Sequence, residues 1–455
     1  MKKYKNFYFE KFEFDKENLV WEFYYSFDKE LHFKETICFK DEKFKIRNDL
    51  NDNILNNILF HLHIALWVSY YKFYLTEKLI VESWFLDDYQ ISFWKKFYLN
   101  WLWEFFFRNN IDITNLLKFE NIWASKKYEK QDFSLSEKYL IPVWWWKDSI
   151  VSIELLKSFW KKIDLVTFAQ NDNILYENTA QISWLERLYI KRELSKNILE
   201  VIESWAYNWH VPITWIIAFV LELASYIYDY KFIVLSNEFS ANFWNTFWQW
   251  IEVNHQYSKS LEFEKDFWDY VSKYISSEVK YFSFLRPFYE LKIAKLFSKL
   301  WKDYFQKFSS CNVNFKIFNK KEINNQNKYW CNACPKCAFV YTILRPFLNE
   351  KEVIQIFWKE LFEDKSLEKL FRELLWISWI KPFECVWTNE EVTLAMKMSL
   401  EKINWKLPFI LEIFKNEVDS KMTESDYISL ENKIFKWYFE ETMIPNELLS
   451  LLKKY

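Results

Sequence analysis

The chain has 455 residues, a formal net charge of −2, no glycine and 27 tryptophans. The nearly neutral charge excludes a bulk electrostatic attraction to nucleic acid or to an anionic membrane. No uncharged apolar run of about 18 residues occurs, so we expect no membrane span. Alternating charges follow Met1-Lys2-Lys3, which is not typical of a signal peptide, so we expect a cytoplasmic protein.

The first 135 residues are predicted to form a mixed α+β N-terminal domain. Apolar and charged residues alternate over 7–14, which is typical of a half-buried strand. A mostly buried helix is predicted over 55–74.

From about residue 136 the pattern changes to short apolar strands separated by helices. Strands are predicted to end at Val143, Phe168 and Ser236, and helices are predicted over 149–159 and 213–228. This alternation predicts an α/β domain with a parallel sheet over 136–345. A helical C-terminal region is predicted over 346–455.

The tryptophans stand where the loops of such a protein need glycine. At an average usage of about 7%, roughly 32 glycines would be expected, because only glycine adopts positive φ without a Cβ clash. Our interpretation is that the gene encodes glycine with UGA, as some bacterial lineages do, and that this sequence reads those codons as tryptophan. A few tryptophans, such as Trp94 in an apolar run, are expected to be genuine. The alternative is a protein that is truly rich in tryptophan.

The loop after Val143 is the first motif with chemical content. Read with glycine, it becomes Val-Gly-Gly-Gly-Lys-Asp-Ser between a strand and a helix, where backbone N–H groups and the helix N-terminus bind phosphates. Its spacing is not that of a Walker A loop. The alternative is an ordinary turn with an Asp-Ser helix cap. The expected nucleotide-binding residues are Trp144, Trp145, Trp146, Lys147, Asp148 and Ser149.

This loop resembles that of the ATP pyrophosphatases, commonly Ser-Gly-Gly-x-Asp-Ser, although Trp144 stands at the position of the usual serine. The resemblance implies an ATP pyrophosphatase type of sheet and cleavage of ATP between its α and β phosphates. It also implies Mg²⁺ at Asp148 and a pyrophosphate contact from Ser149.

Four cysteines have the spacing of a metal site. Cys331, Cys334 and Cys337 are separated by two residues each, and Cys311 is available as a fourth ligand. Four thiolates suit a closed, structural Zn²⁺ site, and the spacing resembles the zinc element of the deazaguanine-nitrile synthases. Free thiols and a three-cysteine iron–sulfur site are the alternatives. The isolated Cys38 and Cys385 are expected to be core thiols.

A polar stretch follows the strand predicted to end at Ser236, where open α/β sheets bind ligands. We assign Glu238 to the nucleotide, and Asn237 and Asn254 to the substrate. Arg286 is expected either to hold a substrate phosphate or carboxylate or to form a core ion pair.

Several segments together resemble the UDP-N-acetyl-alpha-D-muramoyl-L-alanyl-L-glutamate epimerase family, over about residues 100 to 390. The match improves when tryptophan is read as glycine. The matching segments are 102–105, 142–149, 205–214, 236–245, 253–263, 284–287, the cysteine cluster and 381–388.

This resemblance implies an ATP- and Mg²⁺-dependent epimerase that inverts the terminal L-Glu of the UDP-MurNAc-L-Ala-L-Glu precursor of peptidoglycan. A Mur ligase is the expected pathway partner. Adenylation of the carboxylate would acidify the α-proton, and His255, Lys259 and His210 are our candidates for the general base. The alternatives are another ATP pyrophosphatase, such as a deazaguanine-nitrile synthase or an amide-forming ligase, and an inactive nucleotide- or metal-binding module.

Overall fold

A computed structural model describes residues 3–112, 116–122, 128–143, 146–209, 211–242, 246–248, 251–253, 257–311, 313, 329–377, 388–403, 406–436, 439 and 441–455. The strands are β1 (Asn6–Asp15), β2 (Val20–Phe27), β3 (Leu31–Cys38), β4 (Lys78–Val81), β5 (Lys118–Asn121), β6 (Tyr139–Pro142), β7 (Ile163–Ala169), β8 (Arg187–Glu193), β9 (Phe232–Leu235), β10 (Thr246–Trp248), β11 (Ile251–Val253) and β12 (Lys280–Ser283).

The α-helices connect and cover these strands. They are α1 (Asp52–Leu66), α2 (Val68–Tyr71), α3 (Asp88–Asn109), α4 (Lys147–Ser158), α5 (Ile174–Ser183), α6 (Ile198–Glu203), α7 (Ile213–Tyr228), α8 (Leu261–Tyr274), α9 (Glu290–Leu300), α10 (Pro335–Leu344), α11 (Glu350–Phe357), α12 (Glu368–Leu374), α13 (Asn389–Leu400), α14 (Phe409–Glu417), α15 (Glu424–Glu431) and α16 (Asn446–Leu452). Within the described part of the chain, no helix is both long and apolar enough to cross a membrane.

One mixed, mostly parallel sheet of ten strands runs through the molecule in the order β12-β9-β6-β7-β8-β3-β2-β1-β4-β5. The five strands from β12 to β8 pair in parallel, as predicted for 136–345. Strand β3 pairs antiparallel with β8, so the strands before residue 135 extend the same sheet. The helical prediction for the C-terminal region is also confirmed over its described residues.

Both faces of the parallel part are covered by helices. Leu140 of β6 packs in a core with residues of α1 and α7, whereas the next residue, Ile141, packs in a second core with residues of α4 and α9. Alternate side chains of one strand therefore enter opposite cores. This explains why the sequences of these strands are continuous apolar runs.

Strand β6 lies at the point where the strand order reverses. The chain proceeds from β6 to β7 and β8 on one side, and then returns to form β9 and β12 on the other side. A crevice at the carboxyl ends of β6 and β9 results, and this is the position at which open α/β sheets bind ligands.

Among the residues that the structure describes, five tryptophans have left-handed backbone conformations, with φ between 57° and 66°. Trp184 ends α5 and Trp358 ends α11, both in the helix-terminal position that glycine prefers. The indole of Trp184 is 90% exposed and gains little from packing. Such positions support the interpretation that tryptophan here replaces an encoded glycine. By contrast, Trp94 is fully buried in α3 and its indole N–H donates to the Tyr270 hydroxyl at 3.0 Å.

Candidate functional site

A cavity of about 240 Å³ lies at the crevice between β6 and β9. Pro142 is the last residue of β6 and Leu235 is the last residue of β9, and both residues line the cavity. Ser236, Asn237 and Glu238, which directly follow β9, line it as well. The predicted ligand-binding edge and the cavity therefore coincide.

Four helices begin at this cavity. Its lining includes Asp148 from the first turn of α4, Ile213 at the start of α7, Glu290 at the start of α9 and Lys336 from the first turn of α10. Each helix N-terminus carries a partial positive charge and N–H groups that lack intrahelical partners. Their convergence on one cavity favours a polyanionic ligand such as a nucleotide phosphate.

A buried ion cluster forms one side of the cavity. The Lys147 ammonium lies 2.5 Å from Asp148 Oδ1 and also contacts the Glu290 carboxylate, and Lys147 is only 1% exposed. Burial alone lowers the pKa of Lys147, but the charges of Asp148 and Glu290 outweigh it and raise that pKa. The pKa of Glu290 is raised to about 8. Burial is the larger cause, and the nearby charge of Asp148 is the second.

The same cluster fits a divalent cation. Carboxylate oxygens are the ligands that Mg²⁺ prefers, and Asp148 and Glu290 both line the cavity while sharing the Lys147 ammonium. Ser149 also lines the cavity, and its hydroxyl donates to the Trp146 carbonyl at 2.9 Å.

Arg286 forms the core ion pair rather than an open anion site in this structure. It is fully buried, and its guanidinium donates to Glu264 Oε1 at 2.6 Å. It also donates to the backbone carbonyls of Glu238 at 2.8 Å and Lys259 at 2.5 Å. Arg286 thereby holds two cavity-lining segments in place. Its predicted contact with substrate stays a prediction.

The predicted base candidates are only partly described. Lys259 lines the cavity, and its ammonium lies 4.7 Å from the centre of the Trp146 ring. His210 and His255 lie outside the described residues, as do the substrate candidate Asn254 and the loop residues Trp144 and Trp145. Asn237 lines the cavity and donates from its amide to the Ser283 hydroxyl at 2.9 Å.

The four predicted cysteines converge. The sulfurs of Cys311, Cys331, Cys334 and Cys337 all lie within 4.8 Å of one another. Sulfurs around a tetrahedral Zn²⁺ are about 3.8 Å apart when each Zn–S bond is about 2.3 Å, so the residues present fit such an ion. The Cys334 sulfur also accepts from the backbone N–H of Cys337 and caps the N-terminus of α10.

Of the charged residues that line the cavity, sequence reasoning missed Glu290 and Lys336. Glu290 reaches the cavity because α9 starts beside α4, and no local motif marks that tertiary contact. Lys336 carries a signal, since it lies inside the cysteine cluster as Cys334-Pro335-Lys336-Cys337, but the fold is needed to place α10 beside the phosphate loop.

Comparisons with known proteins identify the family. The family model described as the MurL N-terminal domain matches residues 1–284, and the model described as the MurL C-terminal domain matches residues 307–428. No solved structure matches the chain.

Curated relatives cover most of the chain. A UDP-N-acetyl-alpha-D-muramoyl-L-alanyl-L-glutamate epimerase of Xanthomonas oryzae pv. oryzae is 30% identical over 402 residues, which is 88% of this chain and 87% of the relative. A protein of the same name from a Micromonospora species is 30% identical over 77% of this chain and 76% of its own length. The chain therefore belongs to the UDP-N-acetyl-alpha-D-muramoyl-L-alanyl-L-glutamate epimerase family.

Proposed function

We propose that this protein is an ATP-dependent epimerase that inverts the terminal L-Glu of UDP-MurNAc-L-Ala-L-Glu to D-Glu. The observation that carries this proposal is the family membership, joined to a cavity at the carboxyl ends of β6 and β9 where four helices begin. Such a cavity suits a ligand with several phosphates. We further propose that the parallel part of the sheet has the fold of an ATP pyrophosphatase.

The chemistry begins with activation of the substrate carboxylate. A carboxylate oxygen attacks the α-phosphorus of ATP, the bond to the β-phosphate oxygen breaks, and an acyl adenylate and pyrophosphate form. The mixed anhydride makes the α-proton acidic, whereas deprotonation beside a free carboxylate would create an unfavourable dianion. Removal of that proton and its return from the opposite face invert the centre. Water then releases the product and AMP.

The chain's own residues divide these tasks. The start of α4 binds the phosphates, with Ser149 and the residues of the loop before it. Asp148 with Glu290 would hold Mg²⁺, which neutralises phosphate charge when bound. Lys259 lies at the cavity wall and is the described candidate for the base. Zn²⁺ at the four cysteines has a structural role.

The proposed reaction also implies a cellular compartment and a pathway for the protein. Its substrate is a UDP-linked precursor, and the D-Glu product would be used by a Mur ligase of peptidoglycan synthesis in the cytoplasm.

Chiral analysis tests the proposal. The protein, produced with UGA read as glycine, is incubated with UDP-MurNAc-L-Ala-L-Glu, ATP and Mg²⁺, and the glutamate is recovered by acid hydrolysis. We expect D-Glu, AMP and pyrophosphate, and no D-Glu in the control without ATP. Formation of a new C–N bond or a nitrile would instead identify another ATP pyrophosphatase. ATP binding without pyrophosphate release would identify an inactive binding module.

A further inference from the structure

Lys336 faces the same space as the proposed phosphate loop. Its side chain lines the cavity, and its ammonium lies 5.0 Å from the centre of the Trp146 ring. The Lys259 ammonium lies 4.7 Å from the same ring. Two cations from separate parts of the chain therefore approach one indole, which stands at the N-cap of α4.

The position of the Trp146 indole matters because its ring lies close to both the Lys259 and the Lys336 ammonium groups. If residue 146 is glycine in the encoded protein, the volume of the ring becomes open space between two ammonium groups and a helix N-terminus. Ammonium groups and backbone N–H groups are the donors that bind phosphate oxygens. The cations then surround the site that the polyphosphate of ATP would enter.

The position of the Lys336 side chain depends on the cysteine cluster. Lys336 lies between Cys334 and Cys337, and the Cys334 sulfur caps α10 by accepting from the Cys337 N–H at 3.4 Å. Lys336 is 4% exposed. The direction of its ammonium therefore depends on the geometry of the first turn of α10, which begins between two of the four clustered cysteines.

We propose that Lys336 binds the pyrophosphate part of ATP, and that the four-cysteine site positions this ammonium at the cavity. The inference rests on the proposed ATP dependence. It gives the cysteine element a role in the active site, since loss of its geometry would remove a phosphate ligand without unfolding the sheet.

Calorimetric titration with inorganic pyrophosphate tests it on the full chain produced with UGA read as glycine. We expect Lys336→Ala to weaken pyrophosphate binding by at least about tenfold, as for loss of a charge-assisted hydrogen bond, and Lys336→Arg to recover part of it. The matched control is Lys351→Ala, which removes an exposed lysine from α11. It should bind like the parent protein.

A double-mutant cycle tests the positioning role. Cys331→Ser should weaken pyrophosphate binding in the parent protein but have little further effect in Lys336→Ala, because both changes remove the same contact. Equal binding by Lys336→Ala and the parent would overturn the inference and leave the epimerase proposal intact. A parent protein that binds neither ATP nor pyrophosphate would overturn the inference and the proposed ATP dependence together. Additive effects of the two substitutions would refute the link to the cysteines.

Discussion

Replacement of Trp184 by glycine should stabilise this chain, although it removes the largest side chain. Trp184 ends α5 with φ 57° and ψ 39°, in the left-handed region. A residue with a Cβ atom pays about 1–2 kcal/mol there, and glycine does not. Because the indole is 90% exposed, its removal sacrifices little buried apolar surface. We expect the free energy of unfolding to rise by about 1 kcal/mol.

Alanine separates the backbone effect from removal of the indole. Trp184→Ala keeps the Cβ clash, so it should unfold at a lower urea concentration than Trp184→Gly. Five tryptophans have positive φ, and their joint replacement by glycine should gain about 5 kcal/mol if distant sites add. These positions are Trp160, Trp184, Trp205, Trp358 and Trp376.

Trp94 is the matched control. It is fully buried inside α3 and donates a hydrogen bond to Tyr270, so Trp94→Gly should lower the free energy of unfolding by about 3–5 kcal/mol. Urea unfolding followed by circular dichroism measures all three variants. Equal midpoints for Trp184→Ala and Trp184→Gly would refute the backbone argument. A stabilising Trp94→Gly would refute the view that Trp94 is genuine.

Three further predictions concern the site and the core. Asp148→Asn should suppress pyrophosphate release and D-Glu formation together, and release at the parent rate, measured by a coupled phosphate assay, would remove Asp148 from the mechanism. Freshly purified protein should contain one zinc per chain by metal analysis, and Cys337→Ser should lose it; zinc-free parent protein would reject the site. Burial lowers the pKa of His61 and His63 to about 3, below the unfolded value of about 6.5. The unfolded chain therefore binds more protons, and stability should fall as pH drops from about 6.5 toward 3, by up to about 1.4 kcal/mol per pH unit for each histidine. His61→Gln should show a shallower decline in urea midpoint with acidification, and an unchanged slope would contradict this assignment.

Local patterns predicted the parts of the fold whose signal lies in neighbouring residues. The strand before Val143, the loop and α4 follow one another in the sequence, so their order and the parallel pairing of β6 and β9 could be predicted. The cysteine spacing likewise predicted that the four sulfurs lie close together. The N-terminal strands carried no signal of their pairing with the parallel sheet, and the antiparallel contact of β3 with β8, which joins the first 135 residues to that sheet, appeared only in the structure.

The candidate site shows the same division. Asp148 lies in the first turn of α4, Asn237 lies two residues after β9 and Lys259 lies two residues before α8, and all three line the cavity. Glu290 and Lys336 reach it through the packing of α9 and α10, which the sequence pattern does not encode locally. Arg286 is charged yet fully buried in the fold, and Glu264 and two backbone carbonyls accept hydrogen bonds from the two terminal nitrogens of its guanidinium.

Deuterium incorporation tests the central claim most directly. The protein with glycine at the UGA codons is incubated in deuterated water with UDP-MurNAc-L-Ala-L-Glu and Mg²⁺, with and without ATP, and the glutamate α-carbon is examined by mass spectrometry. We expect deuterium at that carbon only when ATP is present, in step with the release of AMP and pyrophosphate. Equal incorporation without ATP would contradict it, because proton removal would then not require activation of the carboxylate.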